Sequence, residues 1–345
     1  MSLLKVFGKN PSDKRLNRIK LSKNYKNNAF QNLSPTEQLS KDSSFLSISK
    51  QSINKPKSVK PHKKLPFVKT DLHQIQSDAP VIVWFGHSSY FINLNGKTIL
   101  IDPVFSGSAS PFSFLMKAFD GSNEYSVEDM PHIDLLLLTH DHYDHMDHTT
   151  LVKLKSKISK VCCPLGLGSH LEYWGYKNSN IHEMDWWDIE LFDNDIEITS
   201  APARHYTGRA LLRSKMLWCS FILKTKTHTL YLGGDSGYDS HFKEIGERYG
   251  PFDIALLEAG QYNTSWPQIH MMPEETVQAC IDLKAKVLFP VHWGKFALAM
   301  HPWDEPINRI LKKAEELQVK VVTPLIGRAL EVGCEQTDEF WWKLE

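Results

Sequence analysis

Residues His140-Asp141-His142-Tyr143-Asp144-His145 follow, after Thr139, on the apolar run Ile133-Asp134-Leu135-Leu136-Leu137-Leu138. Three imidazoles and the Asp144 carboxylate thus fall within six residues. A strand would send alternate side chains to opposite faces, and a helix would spread six residues over more than one turn. Only a turn gathers them at one point. The spacing therefore predicts a buried strand ending at His140, followed by a loop that collects ligands. Zinc and similar borderline metals prefer imidazole nitrogen and take carboxylate next. The rest of the chain must supply whatever ligands are missing.

The chain has 345 residues, enough for one large domain or two small ones. Its 41% apolar and 23% charged residues are an ordinary globular balance. A net charge of zero hides an asymmetry: residues 1–80 hold 16 Lys+Arg against 5 Asp+Glu, and the remainder 24 against 35. A basic N-terminal arm thus sits on an acidic body. The plain expectation is an arm that is solvated or pairs with its own domain; the sharper one is attraction to anionic lipid or nucleic acid. Five cysteines, an odd number without C-x-x-C spacing, suit reduced thiols and a cytoplasmic location. No signal-peptide pattern and no run long enough to span a bilayer is present, so membrane contact is expected to be peripheral at most.

Residues 1–79 read as a largely extended basic arm with one short helix, pinned by Phe30 and Phe45, and residues 80–345 as the folded domain. Three β-rich runs open that domain, Val81–Phe85, Tyr90–Leu94 and Thr98–Ile101, with Asn95-Gly96 marking a hairpin. A loop from Phe105 to about Glu124 is rich in Ser, Gly and Phe. Helices are expected over Thr149–Ile158, Gly168–Gly175, Phe242–Tyr249, Pro273–Leu283 and Glu305–Leu317. Strands are expected at Val161–Cys163, Ile196–Ser200, Trp218–Leu223, Leu230–Leu232, Ile254–Leu257, Val287–Phe289 and Lys320–Val322. Hairpins followed by βα units suggest an α/β (α+β) sandwich of two mixed sheets with helices outside.

Further ligand candidates sit where strands end: His205 after 196–200, Asp235 after Tyr231-Leu232-Gly233-Gly234, and His292 after Val287–Val291. The glycines let the backbone approach closely. Together with His140, His142, Asp144 and His145 this set suits two metals. One division gives His140, His142 and His205 to the first, and Asp144, His145 and His292 to the second, with Asp235 bridging. Positions left open for water mark a catalytic site, and such a pair lowers the pKa of a water between them toward ~7. The chemistry is hydrolysis at phosphorus or carbonyl carbon.

The ordered set resembles the metallo-β-lactamase superfamily. Gly86-His87-Ser88, Asp102-Pro103, Ala109-Ser110-Pro111, Asp185-Trp186-Trp187, Gly234–Tyr238, Glu244–Asp253 and Val291–Ala299 are similar to one branch, the N-acyl-phosphatidylethanolamine-hydrolysing phospholipases D. The resemblance covers about residues 80–330. It implies a four-layer αββα fold, two Zn2+ ions (with iron and manganese left open) and a phosphodiesterase that releases N-acylethanolamine and phosphatidic acid. It also implies roles for Asp102, orienting a ligand histidine, and for His270, donating to a phosphate oxygen or protonating the leaving group. His87 is left evenly between a partner of the ligands and a core histidine. Phe112, Phe114, Leu115, Met116 and Lys117 are candidates for contact with a phospholipid substrate or membrane surface, against an ordinary loop that buries its aromatics. The competing readings are a lactone or other ester hydrolase of the same superfamily, and a non-catalytic membrane- or RNA-binding protein using the arm. No basic, aromatic-interleaved surface in the acidic body argues for nucleic acid, and an oligomer is compatible with the sequence.

Overall fold

The computed structural model describes residues 3–44, 48, 55–209, 213–334 and 340–344; Phe45 lies outside them. The N-terminal residues form a strap over the body. Its regular elements are a short helix α1 (Asp13–Ile19) and a hairpin of β1 (Tyr25–Lys26) with β2 (Ala29–Phe30), besides 3-10 turns. Ile19 and Phe30 are buried against the body's core. The strap's cations meet the acidic surface: Arg15 pairs with Glu172 (2.6 Å) and Glu183 (2.7 Å), and Lys69 with Asp129 (2.8 Å). This is the plainer of the two expectations for its charge.

Two sheets follow. The first uses β3 (Val81–Trp84), β4 (Tyr90–Leu94), β5 (Lys97–Ile101), β6 (Ile133–Leu137), β7 (Ile158–Pro164) and β8 (Ile181–Met184). The second uses β9 (Ile189–Phe192), β10 (Ile196–Ala201), β11 (Ser220–Lys224), β12 (Thr229–Leu232), β13 (Ile254–Glu258) and β14 (Leu288–Val291). A last strand, β15 (Ala329–Glu331), returns to the first sheet beside β3, giving the orders β15-β3-β4-β5-β6-β7-β8 and β14-β13-β12-β11-β10-β9. Asn95 (φ 52°) and Gly96 (φ 73°) make the two-residue turn between β4 and β5, closing the pair Leu94–Lys97.

Strand alternation builds the layers. Ile82, Trp84, Leu135 and Leu137 point between the sheets and share one core with Ile198, Phe221, Leu230 and Leu256. Val83, Phe91, Leu136 and Leu138 point the other way and meet Leu151 and Leu154 of α2 (His148–Leu154) and Leu171 of α3 (Gly168–Tyr173). On the far side, α5 (Pro273–Asp282) packs on β13 between α4 (His241–Tyr249) and α6 (Glu305–Leu317). The order helix, sheet, sheet, helix is the expected αββα sandwich.

Local departures have local causes. The helix expected over Thr149–Ile158 stops at Leu154, because Ile158 already starts β7. Lys320–Val322 is a single bridge, Val321 to Leu288, and not a strand. Among the described residues no helix is long and apolar enough to cross a membrane.

Topology decides where a site can form. β3 and β5 both run antiparallel to β4, and β6 runs parallel to β5. In the second sheet β10 and β12 both oppose β11, while β13 and β14 run parallel to β12. The C-terminal ends of β3, β5 and β6 therefore share one edge of their sheet, and those of β10, β12, β13 and β14 one edge of theirs.

Candidate metal centre

Every residue singled out as a ligand lies just past one of those C-terminal ends. The backbone turns sharply there: His87, Asp102 and His292 have φ of 54°, 39° and 66°, a region unusual for side-chain-bearing residues and frequent at functional sites. The two sheets are tied at this edge by reciprocal backbone bonds, His87 N–H to Trp293 C=O and His292 N–H to His87 C=O, each 2.9 Å. Gly233 and Gly234 bring the β12 end in close. A Cβ on Gly233 would lie 2.7 Å from the Leu256 carbonyl oxygen, and one on Gly234 would lie 2.9 Å from Thr139 Cβ.

The ligand atoms converge in two groups that could each hold a metal ion. His140, His142, His205 and Asp235 form one; His87, Asp144, His145 and His292 form the other. Asp235 faces both: Oδ2 is 3.7 Å from His140 Nε2 and from His205 Nε2, and Oδ1 is 3.0 Å from His145 Nε2 and 3.1 Å from His292 Nδ1. All seven candidate ligands are thus brought together.

The donor set fits borderline divalent metals. Buried and lacking hydrogen-bond partners are His292 Nε2 and His87 Nδ1; such orphans are costly unless something else binds them. Burial, reinforced by neighbouring imidazoles, pushes His140, His205 and His292 well below the ordinary histidine range, which favours neutral rings, the form that ligates a metal. Burial also pushes Asp235 up to about 6, against His145, which lowers it. Asp144 goes the other way: burial opposes ionisation, but His145 and His87 hold it below the usual carboxylate range.

Around the ligands stands a layer of orienting contacts. Asp102 Oδ2 accepts from His145 Nδ1 (2.8 Å) and from Thr139 Oγ1 (2.5 Å), and its Oδ1 accepts from Thr139 N–H (2.9 Å). His205 Nδ1 donates to the Ile269 carbonyl (2.9 Å), which leaves Nε2 for a ligand role. His87 bonds Asp144 Oδ2 through Nε2 at 2.9 Å, so it is buried beside a candidate ligand and not bonded to backbone through its ring. His270 stacks 5.4 Å from the His292 ring and lies 5.2 Å from His205.

Two residues in this layer escape a reading of the sequence. Glu258 closes β13, bonds His270 Nδ1 at 2.7 Å and accepts from Met271 N–H at 2.5 Å. With Asp235, His270 and His292 it forms a third group of converging ligand atoms. Its signal was a carboxylate ending the apolar run Ile254-Ala255-Leu256-Leu257. Ser88, 2.9 Å from His292 Nδ1, carried no such signal.

The family model of the beta-lactamase superfamily domain matches residues 97–293. An uncharacterized protein of Mycobacterium tuberculosis (strain ATCC 25618 / H37Rv) is 36% identical over 328 residues, 94% of this chain and 88% of that protein. The mitochondrial N-acyl-phosphatidylethanolamine-hydrolyzing phospholipase D of Saccharomyces cerevisiae is 34% identical over 258 residues, 69% of this chain and 53% of that protein. Among solved structures, Igni18, a metallo hydrolase of Ignicoccus hospitalis, matches with a TM-score of 0.59 at 20% identity, covering 74% of this chain and 100% of its own; that likeness concerns the fold alone. The chain belongs to the beta-lactamase superfamily. Within it, the described residues place His and Asp side chains in groups that could each hold a metal ion.

Proposed function

We propose that this chain is a metal-dependent hydrolase, a phosphodiesterase of phospholipase D type that uses two zinc ions. Its substrate is N-acyl-phosphatidylethanolamine or a related phospholipid, cut between the phosphate and the N-acylethanolamine to leave phosphatidic acid. The observation that carries the dinuclear reading is Asp235, with one oxygen turned to each donor group at 3.0–3.7 Å. Two ions held there would polarise the phosphoryl oxygens and bring the pKa of a nearby water toward ~7. Asp102 keeps the His145 ring in one tautomer and orientation through its bond to Nδ1. His270, its Nδ1 tied to Glu258, has only Nε2 left for substrate and there supplies a proton to the leaving oxygen. Water adds to phosphorus, the P–O bond to the ethanolamine oxygen breaks, and that oxygen takes the proton.

The lipid part of the reading draws on the yeast relative's name and on one loop. Phe112, Phe114, Leu115 and Met116 are 38%, 70%, 44% and 52% exposed, four large apolar side chains within five residues. The loop is closed by Ala109 N–H to Met116 C=O (3.1 Å), and it leaves the body from the β5 end that also carries Asp102. Apolar groups displayed on this loop, with Lys117 next to them, suit a lipid–water interface with anionic headgroups.

The test is a substrate panel. Zinc-loaded protein should release N-acylethanolamine from the lipid and should cleave a bis-aryl phosphodiester. Turnover of lactones with none of either phosphodiester would overturn the proposal in favour of an ester hydrolase. Full biological activity of Asp235→Asn would instead point to a non-catalytic role.

A further inference from the structure

The strap makes one contact that an arm serving only as a charged tether would not need. The Asn32 amide grips the backbone of His205 on both sides: Oδ1 accepts from His205 N–H at 3.0 Å, and Nδ2 donates to His205 C=O at 2.9 Å. His205 follows β10 by four residues, on the stretch that leads toward β11. Its ring is fixed at Nδ1 by Ile269, but its main chain is fixed from the strap. The neighbouring contacts repeat the pattern. Arg204 donates from Nε to Thr36 Oγ1 (2.9 Å) and from Nη2 to the Pro35 carbonyl (3.0 Å). Farther along, Glu37 N–H meets Gln268 Oε1 (2.7 Å) and Ser40 N–H meets the Ser265 carbonyl (2.8 Å), on the segment that leads to His270.

From this geometry we infer that residues 32–40 brace the metal centre, and that Asn32 is a positioning residue that sets His205 for metal binding. The inference rests on reading His205 as a ligand. A ligand's backbone must be held to within a fraction of an ångström for its nitrogen to meet the ion, and losing an orienting partner commonly weakens metal binding about 10–100-fold.

The experiment uses the full-length chain. Zinc affinity is measured by competition with a chromophoric chelator, the cobalt-loaded protein gives an electronic spectrum, and the metal-free protein gives a Tm. Asn32→Ala should weaken one of the two zinc equivalents about 10–100-fold and alter the cobalt bands, while leaving the metal-free Tm within a few degrees of the parent. Asn32→Asp, which keeps an acceptor for His205 N–H but loses the donor, should fall between them. Gln31→Ala, next door but with its side-chain amide on the Lys26 and Ala29 carbonyls, should bind zinc as the parent does. Parental affinity and spectrum in both Asn32 variants would overturn the brace, as would an equal loss in Gln31→Ala. If the parent itself takes up no metal at this site, the ligand reading of His205 fails instead.

Discussion

Asp102 is 1% exposed and has its three hydrogen bonds committed to Thr139 and His145. Asp102→Asn keeps the shape but turns one acceptor into a donor that opposes His145 Nδ1–H. Zinc affinity or turnover should fall about 10–100-fold, and unchanged kinetics with unchanged zinc binding would reject its orienting role. Lys295 shows how burial works without a carboxylate partner. Its Nζ donates to the Phe85 and Val104 carbonyls, at 3.1 and 2.9 Å, and burial pushes it down to about 7. In the unfolded chain its pKa is ~10.4. Between these values the unfolded state holds a proton that the folded state lacks, so folding stability rises with pH across that window. Chemical denaturation from pH 7 to 10 should show this rise in the parent and a flatter profile in Lys295→Met, whatever the offset from the two carbonyls left bare; parallel profiles would contradict it. The candidate ligands were legible one by one because they are imidazoles and carboxylates placed just past apolar runs. Glu258 and Ser88 were not, since their meaning depends on which histidine the fold brings to them.

At the scale of elements, legibility followed hydrophobic contrast. The buried runs at 81–84, 133–137 and 254–258 announce strands, and Asn95-Gly96 announces the turn it makes. β9 alternates between exposed and half-buried positions and β15 is three residues long, so neither carries a pattern strong enough to read. The loop at 105–117 was ambiguous in sequence because buried and displayed aromatics look alike there. With Phe114 and Met116 exposed, the double change Phe114→Ser and Met116→Ser should cost little stability. Burying side chains of this kind in a lipid interface is worth about 1.5–3 kcal/mol each. Hydrolysis of substrate in vesicles should therefore fall at least tenfold, while a water-soluble bis-aryl phosphodiester is cleaved as before. An equal effect on both substrates, or on neither, would remove the loop from the lipid reading.

On the whole-molecule scale the candidate metal centre lies at the seam of the sandwich. Candidate ligands from the first sheet (His140, His142, Asp144, His145) meet candidates from the second (His205, Asp235, His292), and the strap's Asn32 bonds the main chain of one of them. The strap's pinning by Phe30 and its pairing with the acidic body were legible; its hold on the site was not, because that runs partly through main-chain groups such as the Val6 carbonyl, which takes both Nε and Nη2 of the buried Arg209. A centre that joins two sheets should also stabilise them. Each ion at a hundred times its Kd adds about 2.7 kcal/mol, so chelation should lower the Tm by several degrees, and a Tm indifferent to chelator would place the ions off the seam. The most direct measurement is calorimetric titration of zinc into the metal-free protein, alongside Asp235→Asn. A site bridged by Asp235 predicts two equivalents per chain in the parent and a weakening of both in the variant. A single equivalent in the parent, or a variant that weakens only one of two, would contradict it.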